Sequence, residues 1–165
     1  MLFRSDKVAL ILGDNLLIGK GLGRDLQENL NVDGASIFGT VVSDPSAYGV
    51  AILDENNKIT DFVEKPAYNE SKIAIPGLYF FDETVFEKAN KLKPSARGEF
   101  EITDLLKLYL DENKIKLKML ERGSTWLDCG TPDQLHDASE LIRVLQKRQG
   151  LNYGNPYEII NSIAK

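Results

Sequence analysis

Short apolar runs alternate with amphipathic stretches along this chain, and the alternation predicts a mixed α/β architecture. Val8–Leu12 (V-A-L-I-L) is a continuous apolar run closed by Gly13. It predicts a strand buried on both faces, as in a parallel sheet. Leu22, Leu26 and Leu30 step by four with charged residues between them, which predicts a short helix over 22–30. Ala35–Val42 predicts the next strand. Gly49–Leu53 and Lys58–Val63 flank a polar Asp54–Asn57 loop and predict a hairpin. Its second arm ends at Glu64-Lys65-Pro66, because proline biases the preceding residue towards extended backbone. Ile73–Phe81 predicts a further strand, with Pro76-Gly77 marking an edge or a bulge.

Helical periodicity dominates beyond Phe81. Asp82 is placed to cap a helix through 83–92, and Ile102, Leu105, Leu106, Tyr109 and Leu110 step by three and four within a second helix over 99–110. Ile115–Leu120 alternates apolar residues with lysine and predicts a half-exposed strand, followed by a strand and loop over 122–130. Thr131-Pro132 is a helix start, and Leu135, Ala138, Leu141, Ile142 and Leu145 give that helix a core face as far as Gly150. Tyr157–Ala164 predicts one more short helix. The order of elements predicts an α/β fold, with a mixed, mainly parallel sheet flanked by helices and an antiparallel hairpin, as a single domain over 1–165.

Composition narrows the function. A chain of 165 residues with 42% hydrophobic positions can bury a core. The net charge is −5 and the lysines and arginines are dispersed, which argues against a nucleic-acid partner. Cys129 is the sole cysteine, so an internal disulfide and a multi-thiolate zinc site are excluded, and a reducing compartment is expected. No apolar run of membrane-spanning length and no signal-peptide pattern is present, so no membrane partner and a cytoplasmic setting are expected.

Four loop positions carry polar groups that a scaffold does not require: Asp14 after the first strand, Glu64-Lys65 at a strand end, Arg97, and Asp128. In open α/β sheets ligands bind beyond the carboxyl ends of strands. Two carboxylates and two cations presented there suit a divalent metal and a phosphate, because magnesium takes oxygen ligands from one or two carboxylates together with substrate phosphates. Each residue also has a plain reading. Gly-Asp-Asn is turn chemistry, Glu-Lys-Pro can be a solvated strand end, Arg97 can pair with Glu99, and Trp126 is core-forming by habit. His136 falls on an exposed helix face and is a poor general base.

The ordered set I-L-G-D-N (11–15), Y-G-V (48–50), V-E-K-P (63–66), G-L-Y-F-F-D (77–82), R-G-E-F-E-I-T-D (97–104) and W-L-D-C-G-T (126–131) resembles the sugar-1-phosphate nucleotidyltransferases, and within them the glucose-1-phosphate thymidylyltransferases. The resemblance runs from about Val8 to Gly150 and implies a Rossmann-like nucleotide-diphospho-sugar transferase fold. It implies magnesium-dependent nucleotidyl transfer from a nucleoside triphosphate (dTTP) to a sugar 1-phosphate (glucose-1-phosphate), releasing pyrophosphate and forming dTDP-glucose. On that resemblance Asp14 and Asp128 hold Mg2+, while Lys65 and Arg97 hold the sugar phosphate. Glu64 accepts hydrogen bonds from sugar hydroxyls, and Gly49 lets the ring approach the backbone. Asn15, Ile75 and Tyr79 line the sugar pocket, and Trp126 packs beside the metal-binding strand.

The family pattern opens with a strand and a glycine-rich loop, L-A-G-G-x-G-T-R-L, that holds the triphosphate. This sequence starts further into the pattern, so a truncated form that pairs with itself as a homo-oligomer is expected. Leu16-Leu17-Ile18 stands where the family more often has aromatics. Two alternatives accompany this reading: a non-catalytic sugar-phosphate-binding protein or subunit, and a uridylyl- or cytidylyltransferase.

Overall fold

The computed structural model describes residues 6–68 and 71–157; the helix expected over 157–164 lies almost wholly outside them. Contacts divide the chain, expected to form one domain, into two compact units, Met1–Trp126 and Leu127–Lys165.

The first unit is built on a mixed sheet. Its strands are β1 (Val8–Ile11), β3 (Ala35–Val41), β4 (Gly49–Leu53), β5 (Ile59–Glu64), β6 (Ile73–Ala74), β7 (Leu78–Phe81) and β8 (Ile115–Met119). They are ordered β1-β7-β3-β6-β4-β5, with β8 also paired to β3. The predicted strand over 73–81 runs antiparallel beside β3 but is broken at Pro76-Gly77, so that Ala74 pairs with Thr40 and Phe81 with Ala35. The hairpin forms as predicted, Gly49 lying opposite Glu64.

Two expectations are corrected. The sheet is not mainly parallel: among the described strands β3 and β8 pair in parallel, whereas β1 with β7, β3 with β6 and β7, and β4 with β5 and β6 pair antiparallel. Parallel pairing needs a crossover of a dozen residues or more. The stretch from Val41 to Ile115 supplies one, whereas the tight hairpin forces its arms to run in opposite directions. Secondly, β1 is not buried on both faces. It sits at the sheet edge, antiparallel to β7, with Leu10, Ile11 and Leu12 at 38%, 58% and 44% exposure. Five apolar residues in a row cannot tell a central strand from an edge strand, because periodicity reports side chains and not neighbours.

Helices α1 (Leu22–Asn29), α2 (Val85–Ala89) and α3 (Ile102–Asp111) complete the unit, with a further strand, β2 (Asn15–Ile18). The principal core gathers Phe62, Phe81, Leu106 and Tyr109, with α3 packed on β5. The periodicity of α3 explains this: Leu105, Leu106 and Tyr109 face one way and are buried. Asp82 anchors the α2 corner from within. Its carboxylate accepts bonds from the Gly34 N–H at 2.8 Å, the Thr84 N–H at 3.0 Å and the Tyr109 hydroxyl at 3.2 Å.

The strand β9 (Thr125–Asp128) leads into the second unit, whose main element is α4 (Pro132–Gln149). The predicted start is a full capping box: the Thr131 hydroxyl accepts from the Gln134 N–H, and the Gln134 side chain accepts from the Thr131 N–H at 3.0 Å. Gly150, at φ 67, ends it. Of the predicted core face Ala138 is buried, but Leu135 remains 55% exposed. Among the described residues no helix is long and apolar enough to cross a membrane.

Candidate functional site

The site of the first unit begins at the open end of the hairpin. Glu64 ends β5 and its side chain is half-buried; Thr103, in the first turn of α3, donates its hydroxyl to Glu64 Oε2 at 3.2 Å. Burial pushes the Glu64 carboxyl above the usual range, and the Thr103 hydroxyl opposes this. Glu101 adds to the rise, while Arg97 and Lys65 counter it.

Gly49 faces this carboxylate across the hairpin. A Cβ there would stand 3.1 Å from Glu64 Oε2 and 3.0 Å from Thr103 Cγ2, so the missing side chain leaves the room that the pair occupies. Lys65 departs from its expected extended backbone and takes φ 45, in the left-handed region that a non-glycine residue rarely enters. Its N–H is held by the Tyr48 carbonyl at 3.0 Å, and this tie fixes the turn against the pre-proline preference. The side chain is exposed, with no hydrogen bond or ion pair to the described residues, so its ammonium is available to an anion.

Arg97 reaches the same region from the loop before α3. Its Nε and Nη2 donate to the two oxygens of Glu101 at 3.0 and 2.8 Å, and Nη2 also to Glu99 Oε2 at 3.2 Å. The expected pairing with Glu99 is thus present but secondary. Ile75 and Tyr79 are both buried in the principal core, at 5% and 3% exposure. Ile75 donates its N–H to the Gly49 carbonyl at 2.9 Å, and burial, with the Glu64 charge nearby, pushes the Tyr79 hydroxyl well above its ordinary range.

Asn15 organises the other edge of the unit. Its Oδ1 accepts from the Trp126 indole at 2.6 Å and from the Gly77 N–H at 2.8 Å, while its Nδ2 donates to Asp14 Oδ1 at 2.8 Å. Gly77 permits this approach, since a Cβ would fall 2.7 Å from Leu12 and 2.9 Å from Asn15 Cγ. Trp126 also packs edge-on against Tyr48, with ring centroids 4.8 Å apart. Asp14 is exposed in this unit; Asp128 belongs to the second unit, where its Oδ1 accepts from the Gly130 N–H at 3.1 Å. Among the described residues no group of three or more His, Cys, Asp or Glu gathers to hold a metal ion.

Sequence reasoning passed over Glu101, Thr103 and Ser95 as single residues. Helical periodicity gives no signal for the Arg97–Glu101 pair, because α3 begins at Ile102 and both residues precede it. A cavity of about 220 Å3 lined by Ile59, Leu110, Asn113 and Ile115 contains none of the candidate residues.

Comparison with known proteins identifies the family and the fold. The family model of the nucleotidyl transferases matches residues 1–144. The glucose-1-phosphate thymidylyltransferase of Mycolicibacterium smegmatis is 48% identical over 155 residues, covering 94% of this chain and 54% of that protein. The enzyme of the same name from Xanthomonas campestris pv. campestris is 46% identical over 151 residues, covering 91% and 51%. Among solved structures, a Bacillus anthracis protein described as a glucose-1-phosphate thymidylyltransferase, in complex with sucrose, superposes with a TM-score of 0.75 at 33% identity, covering 93% of this chain and 58% of that one. A UDP-glucose pyrophosphorylase complexed with UDP-glucose gives 0.72 at 25% identity, covering 83% and 56%. The chain spans about half the length of the curated relatives it matches. On the family match and the fold together, this chain belongs to the nucleotidyl transferase family.

Proposed function

We propose that this chain supplies the sugar-phosphate side of a glucose-1-phosphate thymidylyltransferase-like site. The observation that carries the reading is the placing of Gly49, Glu64 and Lys65 at one end of the hairpin, with Arg97 tied through Glu101 to the start of α3, whose Thr103 bonds to Glu64. Two cations suit the dianion of a sugar 1-phosphate. The half-buried Glu64 carboxylate suits sugar hydroxyl donors, because a desolvated acceptor binds them more strongly than water-exposed ones do. Asn15, Ile75 and Tyr79 are assigned to the sugar pocket by family motif, and Trp126 is assigned beside the metal-binding strand.

In the reaction an oxygen of glucose-1-phosphate forms a bond to the α-phosphorus of dTTP as the bond to the β-phosphate oxygen breaks. The products are dTDP-glucose and pyrophosphate. No protein nucleophile is required; Lys65 and Arg97 hold the attacking phosphate in place and offset its charge. Asp14 and Asp128 each offer the hard oxygen donors that magnesium takes, and by motif each is assigned to that ion. When bound, magnesium would neutralise phosphate charge. A cytoplasmic setting accords with the unpaired Cys129, and self-association accords with the open apolar edge of β1.

The test is pyrophosphate release by the purified chain with magnesium, glucose-1-phosphate and each nucleoside triphosphate in turn. Release that needs both substrates and prefers dTTP supports the full reading. Preference for UTP or CTP would reassign the base. Glucose-1-phosphate binding without release would make the chain a sugar-phosphate-binding part that needs further polypeptide for turnover.

A further inference from the structure

Arg97 lies in a loop and its side chain is 40% exposed, yet it is held by more bonds than a surface arginine needs. Glu101 takes one whole edge of its guanidinium: Nε to Oε1 at 3.0 Å and Nη2 to Oε2 at 2.8 Å, the forked geometry that fixes an arginine's plane as well as its place. Glu101 is itself fixed. Its side chain is 9% exposed, and its Oε1 also accepts the Ser95 hydroxyl at 2.7 Å, while the Ser95 oxygen accepts the Arg97 N–H at 3.1 Å.

The position of Glu101 makes the arrangement unusual. It is the N-cap of α3, a place that favours Ser, Thr, Asp or Asn, and its side chain makes no capping bond. The carboxylate is turned to the arginine instead. With Nε and Nη2 engaged, Nη1 is the guanidinium nitrogen that bonds to none of the described residues.

We infer that Glu101 is a positioning residue: it locks the guanidinium of Arg97 so that Nη1 is presented to the phosphate of the bound sugar phosphate. The inference rests on the reading of Arg97 as a phosphate contact. A negative group beside a phosphate-binding arginine would by charge alone weaken the phosphate, so the benefit has to be geometric. It replaces the rotamer freedom of a long side chain by one orientation before the ligand arrives. A salt bridge that merely tied the loop to the helix would affect stability and leave ligand affinity alone.

The experiment is a double-mutant cycle on the full chain, read by calorimetric titration with glucose-1-phosphate. Glu101→Gln keeps the shape of the side chain, and Glu101→Ala removes it; both are made with and without Arg97→Ala. The expected result is about a tenfold loss of affinity from either Glu101 change when Arg97 is present, and no further loss when Arg97 is alanine. The Arg97 Nε–H, followed by nitrogen-15 NMR without ligand, should exchange slowly in the unmodified chain and fast in E101Q. Full affinity in E101Q and E101A, an equal loss in the R97A background, or unchanged Nε–H exchange would each overturn the positioning role. Unchanged binding in R97A itself would instead overturn the phosphate reading on which the inference rests.

Discussion

Trp126 donates its indole N–H to Oδ1 of Asn15 at 2.6 Å, joining residues 111 positions apart. The same oxygen accepts the Gly77 N–H, and the amide nitrogen donates to Asp14, so the Asn15 amide has one consistent orientation and sets that of the Asp14 carboxylate. Trp126→Phe removes one donor and leaves the other in place. It should lower stability by about 1 kcal/mol in urea unfolding followed by circular dichroism. Asn15→Asp should cost more, because it replaces a donor to Asp14 with a like charge. Equal losses from the two changes would contradict the hub role given to Asn15.

Asp82 should prove a stability residue with no part in ligand binding. Hydrogen bonds from Thr84, Gly34 and Tyr109 outweigh burial and hold its carboxyl below the ordinary range. A depressed carboxylate contributes stability that is present above the unfolded pKa, near 3.8, and is lost as pH falls through the lower folded value. Asp82→Ala strands the Gly34 N–H and leaves the Tyr109 hydroxyl with the Thr84 hydroxyl alone, at 3.3 Å, and should cost about 2 kcal/mol. Urea midpoints at neutral and acid pH check this, with the difference between the two proteins shrinking below pH 4. Glucose-1-phosphate affinity should not change.

Glu64 carries the opposite sign. Its folded pKa is raised, so the folded state binds the proton more tightly than the unfolded chain does. Its contribution to stability falls as pH rises from the ordinary carboxyl value through the folded one. Glu64→Gln removes the desolvated charge and keeps a partner for Thr103. The variant should be at least as stable as the unmodified chain at pH 7 by thermal unfolding, while losing sugar-phosphate affinity about tenfold. A variant that loses stability and keeps affinity would make Glu64 a structural residue and not a ligand contact.

Gly49→Ala tests the close approach at the hairpin. The new methyl would meet Glu64 Oε2 at 3.1 Å and Thr103 Cγ2 at 3.0 Å, so both must move by a few tenths of an ångström. A stability loss of about 1 kcal/mol and weaker glucose-1-phosphate binding are expected from urea unfolding and calorimetry. Unchanged binding would show that the glycine serves packing alone.

These residues also show what the sequence could disclose. The hairpin, α1, α3, α4 and the Thr131 cap are encoded locally, by periodicity and turn chemistry, and are legible there. The place of β1 at a sheet edge and the antiparallel course of 73–81 beside β3 depend on partners distant in the chain, which a run of apolar letters does not name. At the site, Glu64, Lys65 and Arg97 can be named because charged groups at strand and loop ends stand out. Glu101 and Thr103 cannot, because each looks like an ordinary residue of a helix start until its partner is known, Arg97 in the preceding loop for Glu101 and Glu64 across the fold for Thr103. The φ of 45 at Lys65 runs against the local pre-proline preference, the kind of conflict that tertiary hydrogen bonding resolves at functional sites.

The measurement that tests the account most directly is the affinity of glucose-1-phosphate for the unmodified chain, Lys65→Ala and Arg97→Ala, with glucose as the uncharged control. The account predicts that each substitution weakens glucose-1-phosphate binding at least tenfold at moderate salt, and that glucose binds more weakly than its phosphate. If both variants bind glucose-1-phosphate as tightly as the unmodified chain does, the cation pair at the end of the hairpin is not the phosphate site and the central claim is wrong.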